Sequence, residues 1–371
     1  MYISLLLTIV SQTTGNSWNY HNSGPDMWSE TYQSCAKYSQ SPIIIKTACT
    51  IYRTFAPFDF SSTYNLTHTF NVLNNGHTIV GTYNGNESSP FKLTGGGLNG
   101  TFEFSSVHLH WGENSRSGSE HQVNGIKHAG EIHFVHINPE TKQIAVLGIF
   151  MESNRNTSKN GTIHLRKRRN NIYDTENITI IEWEKYFATA ANLNEINNSA
   201  VLNLNLASLM GNNLNEFWRY EGSLTTPPCT EGIIWTVFKT PITFNENYIN
   251  AFRKNIFLKN YRHPQALYKR VVHQHPNPLD RGRHATDTSS LSCCSIKFVL
   301  SNEFLHEQFQ HLYIQQSLHT IDKFTECFPL HSAVYHQEQQ LEINDNNLLC
   351  NTILNAHEFG LTFYQLYNKV K

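Results

Sequence analysis

Residues 105–135 read SSVHLHWGENSRSGSEHQVNGIKHAGEIHFV, and the reading of this stretch decides the fold. It opens with His108-Leu109-His110 and closes with Glu131-Ile132-His133. Alternate residues of a β-strand point to the same face, so His108 and His110 project together from one strand. Glu131 and His133 do the same from a second. Antiparallel pairing of the two strands brings three imidazoles to one point, and three neutral imidazoles with an open fourth position suit a catalytic zinc. His-x-His alone carries little weight in a chain with 20 histidines. The carboxylate two residues before His133 adds to it, because a metal-bound imidazole usually donates its second N–H to a carboxylate or a carbonyl.

At 371 residues the chain has room for one large domain and an appendage, or for two domains. A formal net charge of -1 offers no bulk attraction to nucleic acid or to an anionic membrane. Residues 2–10, YISLLLTIV, are too few to span a bilayer as a helix and read as the apolar part of a signal peptide ending near Asn16, with a buried strand as the alternative. No other run is long and apolar enough to predict a transmembrane span. Seven cysteines are present, an odd number, and no Cys-x-x-Cys pair predicts a metal site.

The neighbouring segments carry a resemblance. His108-Leu109-His110-Trp111-Gly112, Ser119-Glu120-His121 and Glu131-Ile132-His133-Phe134-Val135-His136 resemble the core of the alpha-class carbonic anhydrases. Gln40-Ser41-Pro42-Ile43, Asn74-Asn75-Gly76-His77 and Leu224-Thr225-Thr226-Pro227-Pro228 extend the likeness, as do Trp18-Asn19-Tyr20 at one end and Asn260-Tyr261-Arg262 at the other. It covers residues 18–275 or so. Periodicity alone gives only a β-rich domain. The resemblance implies a predominantly β, α+β fold: a large twisted, mainly antiparallel central sheet with short peripheral helices.

The resemblance also implies roles. His108, His110 and His133 hold Zn2+, supported by Glu131, Ser106 and Asn260. A zinc-bound hydroxide hydrates carbon dioxide reversibly to bicarbonate and a proton. Glu120 accepts a hydrogen bond from Thr225, whose oxygen then orients the hydroxide. Val135, Val146, Leu224, Thr226 and Trp235 form the substrate pocket, apolar because carbon dioxide has no dipole. Tyr20, Asn75 and Val80 stand at the cavity mouth. His77 exports the proton, a task suited to a side chain titrating near neutrality; by its local sequence alone it reads as a surface histidine after a turn. Cys35 and Cys229 pair in extracellular members, which implies a disulfide here and export to an oxidising compartment. In the chain-entropy model such a bond contributes about 4–5 kcal/mol. Sulfonamides are the expected inhibitors, and a monomer is the expected state.

Two positions depart from the family. Ser106 stands where a longer Gln often supports the first ligand, and Val80 replaces a polar residue at the mouth. Both predict weaker zinc retention or slower proton transfer. A non-catalytic binding domain is the rival reading; such relatives typically lose a zinc histidine, and this chain keeps all three. A zinc hydrolase of the His-Glu-x-x-His type lacks its helix motif: His306 and His311 are five apart and leave one helical face.

Elsewhere the sequence says less. Gly95-Gly96-Gly97 is a loop with no following Lys-Ser/Thr, so it is not a phosphate-binding loop. Residues 153–182, with Arg166-Lys167-Arg168-Arg169, read as an exposed insertion before a helix at about 182–192. Residues 276–371 are an unassigned extension carrying Cys293, Cys294, Cys327 and Cys350. Cys49 has no evident partner. Sequons at Asn65, Asn86, Asn99, Asn156, Asn160, Asn177 and Asn197 permit glycosylation.

Overall fold

A computed structural model of the chain describes residues 18–85, 89–154 and 175–275, with three short strands further on. The expected signal peptide at 1–16, most of the expected insertion, Asn86, Asn156, Asn160, the four later cysteines and the His306–His311 run lie outside the described residues. The strands up to residue 275 are β1 (Ile44–Ile45), β2 (Ile51–Tyr52), β3 (Phe58–Phe60), β4 (Thr67–Asn74), β5 (Ile79–Tyr83), β6 (Lys92–Gly95), β7 (Phe102–Trp111), β8 (Gln122–Val123), β9 (Gly130–Ile137), β10 (Ile144–Asn154), β11 (Ser199–Asn205), β12 (Phe217–Ser223), β13 (Glu231–Asn245) and β14 (His273–His275). The helices are α1 (Trp28–Thr31), α2 (Thr175–Ala190), α3 (Leu206–Met210) and α4 (Glu246–Asn255).

Twelve of the strands make one mixed sheet, in the order β11-β4-β5-β7-β9-β10-β13-β12-β14-β2, with β3 and β6 attached at β7. Pairing is antiparallel except at β10–β13 and β14–β2. The expected architecture is therefore present, with helices short and few. Residues 282–371 form a unit of their own, in which β15 (Phe298–Val299), β17 (Gln340–Ile343) and β16 (Ala333–Tyr335) make a small antiparallel sheet.

The central strands are apolar on both faces, and the two faces do different things. On β9, Ile132 and Phe134 enter the main core while Glu131, His133 and Val135 face the other way. On β10, Ala145, Leu147, Ile149 and Met151 enter the main core, and Val146 and Phe150 join a smaller cluster on the opposite face. The main core is closed by α2, which contributes Trp183, Tyr186 and Phe187, and by α4, which contributes Ile249 and Phe252. The Asn245 side chain caps α4 by accepting from the amide of Asn247 at 3.0 Å, with Glu246 in the first turn and Arg253 and Lys254 in the last.

Strand β7 changes parity midway. Phe102 and Phe104 point into the main core, and so do Val107, Leu109 and Trp111. Even positions give way to odd ones because the register against β9 shifts between Phe104 and Ser106. Ser105 is the extra residue of a β-bulge, and a one-residue slip sends every later side chain to the other face. That slip puts His108 and His110 on the face away from the core. The expected strands about the Asn74-Asn75-Gly76 turn are β4 and β5. The expected helix at 182–192 runs instead from Thr175 to Ala190, with Trp183, Tyr186 and Phe187 on the stripe that reaches the core.

Deletion of Ser105 is expected to abolish zinc binding and to broaden the urea transition. Without the bulge, β7 cannot bury Val107, Leu109 and Trp111 while presenting His108 and His110 opposite. Retained zinc stoichiometry in the deletion variant would contradict this account of the bulge.

Candidate metal centre

Pairing of β7 with β9 sets His108 directly across from His133 and His110 directly across from Glu131. Ring centroids are 5.1 Å apart for His108–His110, 5.2 Å for His108–His133 and 4.7 Å for His110–His133. One nitrogen from each ring lies within 4.8 Å of the others. His110 and His133 are buried, and His108 is partly exposed, so the cluster opens on the His108 side.

Hydrogen-bond partners fix which nitrogen of each buried ring carries the proton. His110 Nδ1–H donates to the carbonyl of Asn260 at 2.7 Å. Its Nε2 is left with a lone pair that is buried and finds no donor. His133 Nε2–H donates to Glu131 Oε1 at 2.9 Å, which turns its Nδ1 lone pair inward, 3.3 Å from His108 Nε2. Burial holds His108 and His110 below the usual imidazole range, and neighbouring imidazoles add to the shift. A divalent zinc requires neutral rings with ring nitrogens turned to one point, and here His110 Nε2 has no protein donor while His108 Nε2 and His133 Nδ1 meet only each other. The donor set fits that ion.

Glu131 accepts four N–H bonds, from His121 Nδ1 at 2.6 Å, His133 Nε2 at 2.9 Å, and the amides of Glu120 at 3.0 Å and His121 at 2.8 Å. Burial by itself would raise its pKa; the electrostatic pull and the N–H bonds of His121 and His133 outweigh burial and hold the carboxyl well below its ordinary range. His121 Nε2 in turn accepts from Tyr220 Oη at 2.6 Å, and Tyr220 shares a 2.8 Å bond with Ser41 Oγ. Gly148 lies across from His133 on β10, and a Cβ there would stand 3.1 Å from Glu131 Oε1. Sequence reasoning missed His121, Tyr220 and Gly148 in these positions. Only Gly148 left a signal, as a lone glycine inside an apolar strand, which marks a close approach.

Glu120 is fully buried. Its Oε1 accepts from the Arg262 amide at 2.8 Å, and its Oε2, without a hydrogen-bond partner, lies 3.5 Å from His110 Nε2. Thr225 is buried, but no hydrogen bond joins its hydroxyl to Glu120. The Arg262 amide occupies one carboxylate oxygen, and the other is left open on the side of the imidazoles. Ser106 is buried opposite Thr82 and Val135 and makes no bond to His108.

Val135, Val146 and Trp235 are cross-strand neighbours in register, and Leu224 packs against the same cluster. The Trp235 ring sits 4.8 Å from that of His133. The apolar wall therefore abuts the ligand cluster. Thr226 is partly buried and its carbonyl accepts from the Cys229 amide at 2.8 Å. Val80 pairs with His108 across β5–β7. Tyr20 packs on Trp18 and Trp28; burial raises its pKa, and the charge of Glu120 raises it further. Cys35 and Cys229 form a disulfide beside Trp28.

His77 is placed unlike a freely titrating surface histidine. Its ring stacks on Trp18, with centroids 3.7 Å apart and planes 11° from parallel. Asn75 Oδ1 accepts from the His77 amide at 3.0 Å, and Asn260 Nδ2 donates to the His77 carbonyl at 3.2 Å. Asn260 thus holds the backbone of His77 and, through its own carbonyl, the ring of His110. Burial lowers the His77 pKa to about 4, and its Nδ1 has no partner.

Comparison with known proteins gives one family. The family model described as eukaryotic-type carbonic anhydrase matches residues 23–276. The chain is 33% identical over 212 residues to a putative carbonic anhydrase 3 of Caenorhabditis elegans, covering 54% of this chain and 76% of that one. It is 30% identical over 295 residues to a putative carbonic anhydrase 5 of the same organism, covering 74% and 88%. It is 28% identical over 283 residues to carbonic anhydrase 7 of Homo sapiens, covering 70% and 97%.

The stack on Trp18 has a pH signature. A lowered folded-state pKa means that the unfolded chain binds more protons between pH 4 and 6.5. His77 therefore draws stability away as pH falls through that window and leaves it intact above. In an NMR titration, Trp18→Ala is expected to bring the His77 midpoint up from about 4 toward its ordinary 6.5. An unmoved midpoint would show that Trp18 is not what buries the ring.

Proposed function

The chain belongs to the eukaryotic-type carbonic anhydrases, and on that premise we propose that it hydrates carbon dioxide reversibly at a zinc held by His108, His110 and His133. The observation that carries this reading is the inward lone pair of His110 Nε2, buried, without a donor, and aimed where His108 and His133 also point. When bound, zinc supplies the Lewis acidity that brings the pKa of a ligand water to about 7, a value known from carbonic anhydrases themselves.

The protein's own groups do the rest. Asn260 and Glu131 keep His110 and His133 in the tautomers that ligate. Val135, Val146, Leu224 and Trp235 receive an apolar substrate and offer it no competing hydrogen bond. Glu120 Oε2 is the acceptor toward which the Thr225 hydroxyl turns in the working enzyme. A hydroxyl donating there presents only its lone pairs to the reacting oxygen, and so selects the orientation that attacks carbon. His77 takes the released proton once its ring leaves Trp18 for water, where its pKa returns to the neutral range.

Ser106 is the weak support, and His108 the least anchored ligand. The disulfide supports export to an oxidising compartment.

Stopped-flow hydration of carbon dioxide by purified, zinc-replete protein tests the reading. Activity that falls to the background rate in His110→Ala, and under a sulfonamide, is the expected result. A replete protein with no rate above background would leave a binding domain instead. In a separate chelator competition, Ser106→Gln is expected to slow zinc loss about 10-fold by giving His108 an amide partner; an unchanged rate would clear Ser106.

A further inference from the structure

Two arginines and a histidine share the face of β12 away from Tyr220, at the edge of the main core. Arg219 is buried, with its guanidinium carbon 5.5 Å from the Phe217 ring centroid and 5.1 Å from that of Phe55. Arg53, exposed just after β2, lies 5.1 Å from the same Phe55 centroid. His273 is the direct cross-strand partner of Arg219, so the two side chains share a face. The His273 ring stands 6.4 Å from Phe55, edge to face.

None of the three has an acidic partner among the described residues. Arg219 donates from Nε and Nη2 to Thr236 Oγ1 at 3.1 and 2.9 Å, and from Nη2 to the Gly96 carbonyl at 2.8 Å. Its Nη1 donates to nothing there; the His273 ring bonds the Ile51 backbone, and its Nδ1 is buried without a partner. Gly96 is shaped for this contact: its φ is +55°, and a Cβ would fall 2.1 Å from the Phe58 ring. Burial and then the charge of Arg53 lower the Arg219 pKa to about 10; burial and then both arginines lower His273. Converging like charges, partly desolvated and with no counter-ion, cost stability unless an anion joins them.

We propose that Arg53, Arg219 and His273 form a binding site for a small oxyanion of the carboxylate, phosphate or sulfate class. A guanidinium edge donates two parallel N–H bonds to such a group. Arg219 Nη1, which has no protein partner, and exposed Arg53 supply the N–H donors, and a bound anion would favour protonation of His273 on the same face. The aromatic faces of Phe55, Phe58 and Phe217 hold the cations in place without neutralising them. The site does not depend on zinc, because it is on the opposite side of β12 from the Tyr220–His121 network.

Inorganic phosphate is the probe, titrated into the full chain by calorimetry and by NMR of histidine ring signals, with sodium chloride at matched ionic strength as the blank. Wild type and His108→Ala are expected to bind equally, with the His273 ring signal moving. Arg53→Glu, which places a carboxylate beside Arg219, is expected to weaken binding by at least about 10-fold through loss of charge-assisted bonds. Arg53 is exposed, so that variant keeps its fold. Equal binding by Arg53→Glu and wild type, no binding beyond the chloride blank, or binding lost only in His108→Ala would each overturn the proposal. The last outcome would assign the phosphate to the histidine cluster.

Discussion

The bulge at Ser105 is the constraint on which the rest depends. Strand β7 must bury five large apolar side chains in one core and still show two imidazoles to the other side. A regular strand of this sequence cannot do both, because Phe102 and His108 would share a face. One unpaired residue resolves the conflict between period and chemistry. From it follow the register of His108 against His133, the position of Glu131 opposite His110, and the place of Val135 beside the ligand cluster.

Outward from that register runs a chain of polar groups with little freedom. Ser41 Oγ bonds Tyr220, Tyr220 bonds His121, His121 bonds Glu131, and Glu131 bonds His133. Every member is buried, so each unmade bond would cost about 1–3 kcal/mol. That penalty, more than the strength of any single bond, keeps His133 in one orientation. His110 is fixed more simply, by one carbonyl of Asn260. His108 has neither kind of support. The cluster is rigid on two sides and softer on the third, which is also the side that opens to solvent.

Much of this was legible in the sequence, for reasons that differ from residue to residue. His108, His110 and His133 were readable because strand parity is a local property. The pairing of Cys35 with Cys229, 194 residues apart, came only from resemblance, since no local rule joins them. Ser105 gave no warning: two consecutive serines look like any polar pair, and the bulge exists because of what β9 brings opposite. The stack of His77 on Trp18 joins residues 59 positions apart, and burial there reverses the titration expected of a histidine after a turn. The Glu120–Thr225 pairing was expected from family pattern alone, and the Arg262 amide, which no local rule predicts, takes one oxygen of that carboxylate and leaves the other open. Gly95-Gly96-Gly97 looked like a featureless loop; one of its carbonyls holds a buried arginine.

Division of labour between the two faces of β7, β9 and β10 has an evolutionary consequence. Truncating Phe134, on the core side, would remove about 3–5 kcal/mol from a domain whose whole stability is about 5–15 kcal/mol. Changing a ligand on the other side of the same strand removes a polar contact and leaves that core untouched. Chemistry and shape are written on alternate residues, and selection can edit one text while the other stays legible. A lineage built on this sheet can lose its reaction in a single step, keep its surface, and be recruited for whatever that surface recognises.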